Sequence, residues 1–152
     1  GELSDAASAL DWLQSLTGDA RQCWIAGYSF GAWIGMQLLM RRPEISGFVS
    51  VSPPANLYDF SFLAPCPASG VIVHGDADRI VPKEDTEKLV ERLQAQKGIT
   101  VSYENIKGAN HFFEKDMDTL DGVVGKYLDN RIAELQLNKP LPSLRYRARH
   151  RR

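Results

Sequence analysis

The stretch AGYSFGAWIG, residues 26 to 35, decides how the rest of the chain is read. Ahead of it, Gln22 to Ala26 (QCWIA) is a short apolar run stopped by glycine, which predicts a strand buried on both faces. Behind Ser29, the segment from Phe30 to Arg42 is almost wholly apolar and carries the small residues Gly31, Ala32 and Gly35. It predicts a buried helix packed closely on a sheet. A strand, then Gly27-x-Ser29-x-Gly31, then a buried helix is the context in which such a serine reads as a nucleophile on a sharp turn. The glycines suit a strained serine backbone whose neighbours approach each other closely. The motif alone is a weak signal, because a random chain of this length shows it about 5% of the time.

Working outward, the helix signals begin before this stretch. Ser4 to Leu16 spaces Ala6, Ala7, Leu10, Leu13 and Leu16 along one face, with Ser4 as the expected N-cap and an end near Thr17-Gly18-Asp19. Downstream, Gly47 to Ser52 and Gly70 to His74 predict two more strands, separated by the 17 proline- and aromatic-rich residues 53 to 69. Pro82 opens a helix to about Gln96 that Gly98 stops. Thr100 to Ile106 predicts a fourth strand. Asp116 to Leu135 predicts a last helix with Leu120, Val123, Val124, Tyr127, Leu128 and Ile132 on its apolar face. Strands alternating with helices predict the α/β class, a doubly wound parallel sheet of about four strands with flanking helices. The chain contains no internal repeat.

A serine needs a base, and the base needs a group that orients it. The third strand runs into His74-Gly75-Asp76-Ala77-Asp78, and the fourth into Gly108-Ala109-Asn110-His111. Strands of a parallel sheet end at one edge, where their loops form the binding crevice. Ser29, Asp78 and His111 are therefore expected to meet although 49 and 33 residues separate them. Asp78 is the expected acid. Asp76 competes with it and suits bracing the turn or capping the next helix. His74 precedes the turn and is expected to be structural.

With 152 residues, 43% hydrophobic and 24% charged, the chain suits one globular domain with a real core. Cys23 and Cys66 are too few for a disulfide framework and have no metal-ligand spacing, so two plain buried thiols and a cytoplasmic setting are expected, with neither metal nor cofactor. The longest apolar run, Phe30 to Met40, is too short to cross a membrane, where about 20 residues are needed. Residues 138 to 152 hold six basic residues and no acid, while the remainder holds 12 basic against 19 acidic. That tail is expected to be a disordered extension, with nucleic acid not expected as a partner.

These segments together resemble the α/β-hydrolase superfamily, and within it the small, lidless, dienelactone-hydrolase-like serine hydrolases. The resemblance covers residues 1 to about 135 through GYSFGAWIG, HGDADRIVP and GANHFF. It implies Ser29 as nucleophile, His111 as general base and then acid, Asp78 as the orienting carboxylate, and the Phe30 backbone N–H as an oxyanion donor. A serine in place of the cysteine of dienelactone hydrolase itself implies small carboxylic esters or thioesters as substrates, cleaved through an acyl-enzyme. The brevity of residues 53 to 69 implies an open site bordered by Tyr28, Pro54, Tyr58, Phe60 and Phe62. The family has four strands and a helix ahead of the helix that starts here, so the chain resembles the C-terminal part of a hydrolase of about 220 residues. The absent part would carry the second oxyanion donor. The strand before Ser29 is then expected to be a free edge, which favours self-association and an alternative role as a non-catalytic interaction module.

Overall fold

The structure is a computed structural model that describes residues 1–137. The basic tail expected to be disordered, and His150 within it, lie outside the described residues. Residues 1–120 form one compact unit, and the residues from Asp121 onward belong to a second.

The first unit is a parallel sheet with helices on it. Its strands are β1 (Cys23–Tyr28), β2 (Ile45–Val51), β3 (Gly70–Gly75) and β4 (Val101–Ile106), joined in the order β1-β2-β3-β4. Helices α1 (Glu2–Leu16), α2 (Phe30–Arg41) and α3 (Lys83–Gln94) accompany them. The expected four-stranded parallel sheet is present. In β3 all six residues, GVIVHG, are buried, as a run of β-branched residues covered on both faces should be. Phe48 of β2 and Ile72 of β3 join Met36, Leu39, Leu89 and Leu93 from α2 and α3 in the core.

Sequence reasoning placed β1 inside the sheet's core, and here the structure differs. None of its residues is fully buried, because β2 flanks it on one side only and it ends the sheet. Its free edge matches the expectation drawn from the resemblance.

Helix α1 departs from expectation as well. It begins at Glu2 with Gly1 at the N-cap position, which puts Ser4 inside the helix rather than at its cap. Leu10 is buried, and Leu3, Ala6 and Ala7 pack on the core, whereas Leu13 and Leu16 remain 49% and 63% exposed. The apolar contacts of the helix come from Leu3 to Leu10, while Asp11 and Gln14 hold Arg42 at the C-cap of α2 at 2.8 and 3.0 Å, and Leu13 and Leu16 stay uncovered among the described residues.

In α3, Thr86, Leu89, Val90 and Leu93 are buried at i, i+3, i+4 and i+7, the spacing of one helical face. Pro82 caps this helix instead of opening it, and Gly98 follows its end with φ +87°. Helix α4 runs over Met117–Leu137. Within the second unit, Arg131 and Glu134 pair across one turn at 2.9 Å.

Residues 52 to 69 cross from β2 to β3 without a helix. They are pinned by side-chain bonds to the rest of the fold, two from outside residues and one from their own Asn56. Trp33 Nε1 donates to the Asp59 carbonyl at 3.0 Å, Asn56 Nδ2 to the Ile80 carbonyl at 3.0 Å, and Gln96 Nε2 to the Leu63 carbonyl at 2.6 Å. Gln96 Oε1 also accepts from the Cys66 N–H at 2.7 Å, so one amide closes both ends of a short arc. Phe60 is buried and Phe62 stacks on it and packs against the core. Both therefore serve packing, where sequence reasoning made them walls of an open site.

Candidate active site

Ser29 stands between the last residue of β1 and the first of α2 with φ 53° and ψ −121°, a conformation an L-residue holds only under local constraint. The constraint is visible on both sides. Its N–H donates to the Val51 carbonyl at 2.8 Å, extending the β1–β2 ladder by one residue, and its carbonyl accepts the Ala32 N–H at 2.9 Å. A Cβ at Gly27 would collide with the Gly31 carbonyl oxygen and lie 2.6 Å from the Ala32 Cα, so only glycine lets the strand pass so close under the helix. A Cβ at Gly31 would meet nothing within 4 Å. The expectation that close approach demands both glycines holds for the first and not for the second.

His111 leaves the loop after β4 and is 4% exposed. Its Nε2 lies 2.9 Å from Ser29 Oγ, and its Nδ1 lies 2.7 Å from Asp78 Oδ2. An ionised carboxylate only accepts, so Nδ1 carries the proton it donates to Asp78 and Nε2 presents its lone pair to the serine hydroxyl. The Asp78 side chain is wholly buried. A buried carboxylate is costly unless hydrogen-bonded, and here the other oxygen, Oδ1, accepts the N–H groups of Ile80 and Val81, each at 2.8 Å. The structure thus brings the three side chains from three strand ends into one chain of contacts.

The remaining carboxylate and histidine of the loop after β3 take other places. Asp76 Oδ1 accepts the Gly108 N–H at 2.5 Å, tying the loop after β3 to the loop after β4. His74, at the end of β3, is fully buried, with Nε2 donating to the Val81 carbonyl at 2.9 Å. Its Nδ1 lies 3.4 Å from Thr86 Oγ1. Burial depresses its pKa, and the proximity of His111 adds to that, against the Val81 bond and the charge of Asp78. A neutral His74 leaves the Asp78 charge facing His111.

As the first residue of α2, Phe30 has no acceptor inside the helix for its N–H, which is therefore available beside Ser29. The Phe30 ring lies 5.5 Å from that of Tyr58, which stacks at 4.6 Å on Trp33. Pro54 is buried, with its carbonyl accepting the Tyr58 N–H at 3.1 Å. Tyr28, expected to face substrate, instead engages its hydroxyl: it donates to the His111 carbonyl at 3.0 Å. Sequence reasoning missed two residues here, Trp33, which carries the aromatic cluster, and Ser52, whose Oγ lies 3.4 Å from the same His111 carbonyl. The position of Ser52 at the end of a predicted strand, just before Pro53-Pro54, was the available signal.

Among the described residues, no group of three or more histidine, cysteine or acidic side chains is arranged to hold a metal, and no helix is long and apolar enough to cross a membrane.

The model of the dienelactone hydrolase family matches residues 2–138. A crystal structure of a protein of unknown function from Agrobacterium tumefaciens is 62% identical, superposes with a TM-score of 0.86, and is covered over 62% of its length by 88% of this chain. An uncharacterized protein of Rickettsia prowazekii is 50% identical over 132 residues, which are 84% of this chain and 56% of that one. An α/β serine hydrolase without a lid from Xanthomonas campestris is 25% identical with a TM-score of 0.75, over 85% of this chain and 56% of that one. The chain therefore spans about three-fifths of the length of these relatives.

Proposed function

The chain belongs to the dienelactone hydrolase family and has the α/β-hydrolase fold, and from that premise we propose that it is a serine hydrolase of small carboxylic esters or thioesters. The observation that carries the reading is the contact of Ser29 Oγ with His111 Nε2 at 2.9 Å, on a strained turn, with His111 in turn held by Asp78.

In the proposed reaction Ser29 Oγ attacks the substrate carbonyl carbon while its proton passes to His111 Nε2. Asp78 stabilises the imidazolium that forms and keeps the ring in one orientation. Charge on the carbonyl oxygen is met by the Phe30 N–H, and the loss of one such donor typically costs about 10²- to 10³-fold in turnover. The C–O or C–S bond then breaks, and the leaving alcohol or thiol takes the proton from Nε2. Water, deprotonated by the same nitrogen, attacks the acyl carbon, the bond to Ser29 Oγ breaks to release the acid, and Nε2 returns its proton to Oγ. Phe30, next to Ser29 in sequence, and Tyr58, whose ring lies 5.5 Å from that of Phe30, are each partly exposed and would border the acyl or leaving group. Both thiols are free, which fits a reducing, cytoplasmic setting, and burial raises the pKa of each and so keeps it protonated.

The test is the intact mass after incubation with a fluorophosphonate, a reagent that needs an activated serine rather than a known substrate. One adduct on the parent and none on Ser29→Ala is the expected result. An adduct that persists in Ser29→Ala sinks the assignment.

A second reading draws on the position of β1 at the end of the sheet, where among the described strands it pairs with β2 alone and could offer an edge to a second copy. It predicts sedimentation that changes with concentration and no reaction at Ser29. A monomer that takes the adduct rules it out.

A further inference from the structure

We infer that Tyr28 is a positioning residue, a strut that holds the His111 main chain against the nucleophile turn, with Ser52 as its lesser companion. The inference rests on the proposed roles of Ser29 and His111 and adds what keeps them in register.

Two consecutive residues grip a single residue 82 and 83 positions further along the chain. Ser29 reaches the His111 ring through Oγ, and Tyr28, one peptide bond earlier, reaches the His111 carbonyl through its hydroxyl at 3.0 Å. The two contacts approach His111 from its side chain and its backbone. With the carbonyl fixed as well, rotation of the His111–Phe112 peptide cannot carry the imidazole away from the serine without breaking a hydrogen bond. Ser52 Oγ approaches the same carbonyl at 3.4 Å from the end of β2, so two adjacent strand ends share the grip.

The rings reinforce this arrangement. The imidazole has Tyr28 at 5.5 Å and Phe112 at 5.3 Å, the latter edge-on. The start of the loop is tied to the loop after β3, where Asp76 accepts the Gly108 N–H and the Ala77 N–H donates to the Ala109 carbonyl at 3.0 Å, and beyond it Asn110 Oδ1 accepts the Phe112 N–H at 3.1 Å and the Phe113 N–H donates to the Asn110 carbonyl at 3.2 Å. These bonds shape the loop, whereas the Tyr28 bond connects it to the nucleophile turn. Burial raises the phenol pKa above its ordinary value, with Asp78 adding to the effect, so the hydroxyl stays protonated and remains a donor at neutral pH.

The mechanical consequence concerns geometry at the reacting atoms. A misplacement of about 1 Å costs on the order of 10²-fold in rate, and loosening one of several restraints should cost less.

The experiment compares the parent with Tyr28→Phe, which removes one oxygen and keeps the ring, and with Ser52→Ala. Two quantities are read: fluorophosphonate labelling, resolved into limiting rate and half-saturating concentration, and amide exchange by mass spectrometry. In Tyr28→Phe the limiting rate should fall about 10-fold with half-saturation unchanged, because positioning and not binding is lost. Exchange in the segment 108 to 114 should rise, with the melting temperature nearly unchanged and the strands unaffected. Ser52→Ala should move both in the same direction by less. Unchanged exchange in that segment for both variants overturns the strut, as does an unchanged limiting rate in a protein whose parent labels. If the parent takes no label while the segment still responds, the strut stands and the hydrolase reading falls.

Discussion

The ends of β1 and β2 carry the same local device with opposite outcomes. Each strand is followed by a serine with positive φ, 53° at Ser29 and 50° at Ser52, and each serine N–H donates at 2.8 Å to a valine carbonyl near the end of the neighbouring strand, Val51 for Ser29 and Val73 for Ser52. After Ser29 a helix starts at once, and its first N–H groups have no internal acceptor. After Ser52 come Pro53 and Pro54, which supply no donor at all. Ser29 faces an imidazole nitrogen, whereas Ser52 is fully buried and faces a carbonyl oxygen, which cannot take its proton. Backbone strain at a strand end therefore does not make a nucleophile. In the proposed reading, the helix behind Ser29 and the imidazole in front of it set it apart from Ser52.

The sharpest way to break that comparison is to delete each hydroxyl in turn. Ser29→Ala should lower reaction with the phosphonate by at least about 10³-fold, which is roughly 4 kcal/mol of activation free energy, with Ser52→Ala lowering it only a few-fold. Equal losses would mean that Ser29 is no more than a second turn serine.

Next in size is the glycine under the helix. Gly27→Ala has no room for its methyl group and should destabilise the fold by about 3 kcal/mol, measured by urea denaturation. A loss below about 1 kcal/mol would mean that β1 and α2 can separate without harm.

The end of β3 extends the comparison to a third strand, where His74 replaces a serine. Burial holds its pKa below the ordinary 6.5, so on acidification the unfolded chain takes up a proton that the folded one refuses. This contribution to stability is fully present above about pH 6.5 and is lost as pH falls below it, with a slope of up to about 1.4 kcal/mol per pH unit. Urea midpoints of the parent and His74→Gln between pH 7 and pH 5 should show a shallower slope in the variant. Parallel slopes would mean that His74 is protonated in place.

The smallest effect is expected at Gly31, where a Cβ meets open space. Gly31→Ala should change stability by less than about 1 kcal/mol, and in the stabilising direction, because alanine favours the helix. A larger loss would point to a contact at Gly31 that the described residues do not make.

How far the molecule was legible in its sequence follows from the range of each signal. The strands, α2 and α3 announce themselves through local apolar patterns and glycine or proline stops, and all appear within a few residues of their predicted bounds. The meeting of Ser29, Asp78 and His111 was legible because a parallel sheet carries its loops to one edge whatever the sequence between them. The burial of β1 was not, since an apolar run says nothing about whether one neighbour or two will flank it. The exposure of Leu13 and Leu16 escaped for the same reason. Phe60 and Phe62 were misplaced because an aromatic residue in a loop looks the same whether it turns inward or outward. The Tyr28 hydroxyl bond spans 83 residues, and no local pattern encodes it.

The edge position of β1 has one more consequence. His111 and Asp78 hang from β4 and β3, which pair over six residues, Gly70 with Val101 through Gly75 with Ile106, and β3 is buried throughout. Ser29 hangs from β1, which like β4 has one partner in the sheet but, unlike β4 with its buried Val101 and Ile106, has no fully buried residue. Strands of the latter kind detach first when a protein opens part by part. Under mild denaturant Ser29 should leave the site while Asp78 and His111 still stand together, and the proposed reactivity should vanish before the bulk of the helical signal does. Resistance of the reaction to denaturant is then set at the rim of the sheet, so a change that secures β1 would extend it even where the core is untouched.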